Sequence, residues 1–170
     1  MDRRVRRLPV LQSGDEVVER PASQWVAIAA ALCLAFWVPL VVVALGAGRA
    51  LATKIAGVSD VSELARSAAT ASVGQRIGIA AVLIVPALGS LALAAAASGA
   101  VVGRFGGRAG GREAVLGSGI AAAVSWGLAW SGGGLRPWTL AVTTGLLVTG
   151  VSAAFAGLGA RLGRRRRPQP

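Results

Sequence analysis

The chain contains no histidine, no tyrosine, one cysteine and only seven acidic residues among its 170. Each scarcity removes a class of chemistry. Without histidine there is no imidazole to ligate haem or zinc. The usual general base near neutral pH is missing too, and with it the Ser–His pair of an intramembrane protease. A lone cysteine closes no internal disulfide and offers no partner for thiol exchange. The seven carboxylates fall near or outside the edges of long apolar runs, so no cluster of them suits a two-metal centre. No catalytic residue, no metal site and no cofactor is expected, and the sequence reads as a non-enzyme.

Charge is sparse and uneven. Charged residues make up 15 % of the chain and apolar ones 54 %, against roughly 25 % charged in an average soluble domain. The net charge of +11 would suit a nucleic-acid binder if the arginines formed a patch among aromatics. They flank apolar runs instead, and Phe105 is the one phenylalanine close to an arginine cluster. No nucleic-acid partner is expected; the expected partner is a lipid bilayer. Lys54 is the one lysine, and its scarcity beside abundant Arg, Ala and Gly points to a GC-rich bacterial source.

What the chain does have is four charge-free runs, at residues 25–48, 77–103, 114–130 and 138–160. A helix over the first would be about 36 Å long, enough to span with some tilt. It exceeds the 7–15 apolar residues typical of a signal peptide, so it reads as a retained span. The third run is at the short limit for a span. Trp25, Trp126, Trp130 and Trp138 sit near run ends, where interfacial aromatics belong. Pro39 and Pro86 interrupt the first and second runs, where kinks are expected. Ser131-Gly132-Gly133-Gly134 reads as a tight turn between antiparallel helices. In the polar stretch 49–76, Asp60-Val61-Ser62-Glu63 has the form of a capping box. Val61, Leu64, Ala65 and Ala68 then share one face of a short amphipathic helix on or near the membrane surface.

The expected fold is therefore all-α: a polytopic four-transmembrane-helix bundle over residues 25–160 with one short amphipathic extracytoplasmic helix. A disordered basic tail (1–24) precedes it and an Arg-rich tail (161–170) follows it. Thirteen Lys and Arg lie in the two tails and the 104–113 loop, and five on the other side. The positive-inside rule puts both termini in the cytosol, in a bacterial cytoplasmic (inner) membrane.

Small residues recur at four-residue spacing. Gly99 and Gly103 form a GxxxG pair that Ala95 extends; Gly119, Ala123 and Gly127 form a second stripe; Gly145, Thr149, Ala153 and Gly157 form a third. Such stripes let helix backbones approach closely in lipid, and by that register Val148 lies off the packed face. Arg161, Arg164, Arg165, Arg166 and Arg167 either fix topology or hold anionic lipid headgroups. The second and fourth runs end alike, Arg104-Phe105-Gly106-Gly107-Arg108 and Arg161-Leu162-Gly163-Arg164-Arg165, as two duplicated hairpins would. Ser118, Ser125, Ser152, Thr143, Thr144 and Thr149 are expected to bond neighbouring helices or their own preceding turns, and Cys33 to be a small core residue. No ionisable side chain other than that thiol lies inside a run, which removes the working part of proton-coupled transport. The expected function is a scaffold, accessory subunit or regulator in a membrane complex, bound to other subunits or to itself. The alternative is a pore or carrier for a neutral or hydrophobic solute.

Overall fold

Among the described residues five helices follow from this pattern: α1 (Ala22–Ala56), α2 (Val61–Thr70), α3 (Val73–Phe105), α4 (Gly111–Ser131) and α5 (Trp138–Arg165). The computed structural model describes residues 21–106, 110–131 and 138–165, with the backbone alone at Val61 and Ala65. The basic tail up to residue 20, the three-glycine turn, and Arg166 and Arg167 lie outside the described residues, as do the side chains of Val61 and Ala65 on the amphipathic face. Helices α1, α3, α4 and α5 are each long and apolar enough to cross a membrane. The molecule is an all-α bundle, and those four helices mark a multi-pass membrane protein.

The helices overrun the charge-free runs. Residues 22–24, taken as tail, form the first turn of α1, which continues past Gly48 through Arg49 and Lys54. Residues 161–165, also taken as tail, are the last turns of α5. Long basic side chains extend from a helix end toward water while their stems stay on apolar surface, so a charge need not end a helix. α1 stops at Gly57, whose left-handed φ of 69° turns the chain so that the Val58 N–H donates back to the Thr53 carbonyl at 3.1 Å; glycine adopts that conformation without steric cost. Both prolines lie inside continuous helices.

Helix order and direction are set by small side chains. α3 packs chiefly on α5 and α1, and α4 on α5 and α1. Ala29, Val102, Ala114 and Ala160 share one buried cluster, so the start of α1, the end of α3, the start of α4 and the end of α5 meet at one end of the bundle. Leu64 and Ala68 of α2 pack at the other end on Ala52 of α1 and Ile79 of α3. There Asp60 caps α2 by accepting the Ser62 N–H at 3.2 Å, one residue earlier than a capping box requires. The complete box is at Ser72 and Gln75, which bond each other's backbone reciprocally and open α3. Arg76 closes the connection by donating to the carbonyls of Ala69 and Ala71, where a cation also complements the helix dipole.

Outside this core, between the charged ends, the surface is largely apolar. Val43, Leu128 and Leu146 are 72, 70 and 69 % exposed. A surface so extensively apolar needs lipid or protein to cover it.

Candidate functional site

Three features of the bundle bring polar groups, close backbones or concave surface together: a glycine seam, a buried hydroxyl cluster and a lateral face with two clefts.

The seam joins α3 and α5. A side chain begun at Gly99 or Gly103 would meet the carbonyl of Ala156 or Ala160 at 2.2 or 2.3 Å; one begun at Gly159 or Gly163 would meet that of Ala96 or Ala100 at 2.0 or 2.2 Å. Real side chains do not approach backbone that closely, so at these four positions glycine is required. The contacts are reciprocal, and Ala96-x-x-Gly99-Ala100-x-x-Gly103 and Ala156-x-x-Gly159-Ala160-x-x-Gly163 are the same pattern. The residue numbers rise together along both helices, so α3 and α5 run parallel. A second close contact ties α1 to α3: the Val82 carbonyl would lie 2.6 Å from a side chain begun at Gly48. Proline at position 86 removes the helical N–H that this carbonyl would otherwise accept, and the α-hydrogens of Gly48 stand in its place, a weak C–H···O contact.

The proposed stripes divide between inner and outer surfaces. Gly99 and Gly103 belong to the seam, and Ala95 is buried in the core. The third stripe faces α4: space at Gly145 is taken by the Trp126 ring, Thr149 lies 3.7 Å from the α-carbon substituent position of Gly119, and Gly157 abuts Val115. Ala153 is half-buried. Gly119 is buried, whereas Ala123 and Gly127 of the same stripe are exposed, and among the described residues nothing lies within 4 Å of Gly127's missing side chain. Val148 is not off the packing: it lies against the buried cluster of Cys33, Leu91 and Ala156. Fifteen of the 28 residues of α5 are Gly, Ala, Ser or Thr, and they fall on more than one side, so four-residue spacing alone cannot say which side of α5 faces which neighbour.

The hydroxyl cluster takes one side chain from each spanning helix. Ser98, Ser118 and Ser152 are fully buried, and Cys33 is 1 % exposed. Ser152 donates to the Ser118 carbonyl at 3.0 Å. Ser98 donates to the carbonyl of Ala95 at 3.0 Å, which makes Ser118 the donor in the 3.1 Å Ser98–Ser118 hydroxyl pair. The Cys33 thiol faces the same three hydroxyls. All three serines are thus satisfied by protein. Ser98, the centre of the arrangement, is the residue sequence reading missed; its signal was its place one residue before Gly99 of the tightest seam. Thr143 and Thr144 bond carbonyls of their own preceding turn. Hydrogen bonds of this kind are worth about 0.6 kcal/mol on average and about 1.7 at most. A double-mutant cycle with Ser98→Ala and Ser118→Ala, read by detergent unfolding, is therefore expected to give a coupling of about 1 kcal/mol. A coupling indistinguishable from zero removes the pair from what holds α3 and α4 together.

Two clefts open on the lateral face between α4 and α5. One, about 470 Å³, lies at the end bearing Trp126, Trp130 and Trp138, with Ala123, Gly127 and Gly145 among its walls. Trp126 is fixed there by donating its indole N–H to the Ala141 carbonyl at 3.0 Å, and its ring centroid is 5.8 Å from that of Trp130. The other, about 660 Å³, lies at the opposite end and is basic, lined by Arg112, Arg161 and Arg164 above Val115 and Gly157. Arg165 is exposed beside it on the last turn of α5. Among the described residues no group of three or more Cys, Asp and Glu side chains could hold a metal ion.

Comparisons with protein-family models, with curated proteins and with solved structures gave no match to this chain. What it does is argued from its own geometry.

Proposed function

We propose that this chain is a non-catalytic component of a bacterial inner-membrane complex, a scaffold, accessory subunit or small regulator, with both termini in the cytosol. The observation that carries the reading is the tryptophan-walled cleft between the far ends of α4 and α5. Its walls include Ala123 and Gly127, and among the described residues nothing lies within 4 Å of where the Gly127 side chain would be. Small residues at a lipid-facing position allow a foreign helix to approach as closely as α5 approaches α3. The flat, amphipathic tryptophans give such a helix wide contact at low conformational cost. The interior supports the same reading, since its buried hydroxyls at Ser98, Ser118 and Ser152 are already bonded to protein, although the buried Trp37 indole N–H has no partner among the described residues. The pore or carrier reading has less support within one chain, because the seam at Gly99, Gly103, Gly159 and Gly163 fills the space between α3 and α5 with backbone.

Purification of the full chain from its native membrane in mild detergent tests this. The wild type is expected to bring a stoichiometric membrane-protein partner, and Gly127→Leu to lose it while unfolding at the same temperature as wild type. A wild-type chain that purifies as a homo-oligomer with no other subunit would overturn the proposal in favour of a pore or carrier.

A further inference from the structure

The basic cleft is built differently from a tail that merely marks topology. Its three arginines come from two helices and converge on one concavity: Arg112 from the first turn of α4, Arg161 and Arg164 from the last turns of α5. Arg164 reaches across to α4, so that a side chain begun at Gly111 would meet its guanidinium nitrogen at 2.5 Å. The one acid in the cleft, Glu113, is already engaged, accepting the Gly110 N–H at 2.8 Å. It lies within electrostatic reach of Arg112 and Arg164 and offsets only part of their charge. Among the described residues none of the three arginines donates a side-chain hydrogen bond.

Depth identifies what an acceptor there would be. Along α5 the rise from Trp138 to Arg161 is about 35 Å, and along α4 from Arg112 to Trp130 about 27 Å. The hydrocarbon core of a bilayer is about 30 Å thick and the headgroup layers extend it to about 40–45 Å. With the tryptophans at one interface, the arginines lie at the depth of the phosphates of the other. Guanidinium pairs bind phosphate oxygens with bidentate geometry. Beneath the arginines the cleft floor is Val115 and Gly157, apolar and small, which leaves room for the glycerol and upper acyl carbons of a lipid. We infer that this cleft binds the phosphate of an anionic phospholipid, with Arg161 and Arg164 of α5 and Arg112 of α4 as its donors.

The test titrates detergent-solubilised full chain with phosphatidylglycerol, phosphatidylcholine or inorganic phosphate and follows thermal stability. Phosphatidylglycerol is expected to stabilise the wild type at lower concentration than phosphatidylcholine, and inorganic phosphate to do neither that nor compete. Arg161→Gln with Arg164→Gln is expected to weaken the phosphatidylglycerol midpoint roughly thirtyfold, at about tenfold per 1.4 kcal/mol. Arg104→Gln with Arg165→Gln removes the same charge from the same end outside the cleft, and is expected to change it by less than about threefold. If the first pair does not fold, Arg112→Gln alone, on the other helix, is expected to weaken it about fivefold. Equal losses in both double variants, no loss with Arg112→Gln, no preference over phosphatidylcholine, or equal stabilisation by inorganic phosphate each overturn the assignment.

Discussion

Gly159→Leu is expected to lower the unfolding temperature in detergent by roughly 10 °C or to prevent accumulation of folded protein. The side chain would begin 2.0 Å from the Ala96 carbonyl oxygen and 2.8 Å from its carbon. Both are backbone of α3, so no rotamer change relieves the clash; α5 must move away. Moving it also opens the contacts of Gly99, Gly103 and Gly163, which depend on the same helix separation. Overpacking a core typically costs about 1–3 kcal/mol, and a backbone-to-backbone seam belongs at or above the top of that range. Gly150→Leu on the same helix is the comparison: among the described residues nothing lies within 4 Å of its missing side chain, and it is expected to stay within about 1 °C of wild type. Equal tolerance at the two positions would show that α3 and α5 do not meet at this seam.

Cys33 is expected to react with a maleimide at least about a hundredfold more slowly in the folded protein than after denaturation in SDS. The thiol is 1 % exposed, and Leu91, Ala95, Ala121, Ala122 and Ala156 enclose it together with the three serines. A small, uncharged reagent therefore gains access only when helices separate. As the sole cysteine, it reports bundle opening without an introduced thiol, and Gly159→Leu is expected to accelerate its reaction where Gly150→Leu leaves it slow. Rapid labelling of folded wild type would mean that the hydroxyl cluster is open to the outside, and the reading of a closed interior would go with it.

How far the sequence carried these conclusions differs by level. The four apolar helices were legible because charge is excluded from hydrocarbon over a length that the bilayer fixes. Their ends were not, because Arg49, Lys54, Arg161 and Arg164 lie on helical turns beyond the charge-free runs. The short amphipathic helix was legible from Asp60 and the spacing of Leu64 and Ala68, and both residues do as expected, Asp60 as cap and Leu64 in the core. The box at Ser72 and Gln75 was written in the sequence in its ordinary form and lay hidden in a stretch read as loop. The candidate sites were less legible. Four-residue spacing picked out Gly99 and Gly103, but on α5 it selected Gly145, Thr149, Ala153 and Gly157, while the seam uses Ala156, Gly159, Ala160 and Gly163. On a helix whose small residues fall on more than one side, four-residue spacing does not rank one small face above another. The basic cleft was half visible, since Arg161 and Arg164 were singled out as possible lipid ligands. Arg112 was counted only for topology, because nothing in the order of the residues says that the start of α4 meets the end of α5.

The seam also bears on how the chain tells its own helices apart. Seen from α3 it offers Ala-x-x-Gly-Ala-x-x-Gly, and seen from α5 it offers the same words in the same direction. A surface that reads identically from both sides holds two helices together without specifying which two. Identity has to come from contacts that are not duplicated: Gly117 of α4 against the backbone of Val26 and the methyl of Ala29 on α1, the Trp126 indole on the Ala141 carbonyl, and the serine of each of α3, α4 and α5 meeting around one thiol. The closest contact in the bundle is thus the least informative one, and the singular ones assign each helix its place.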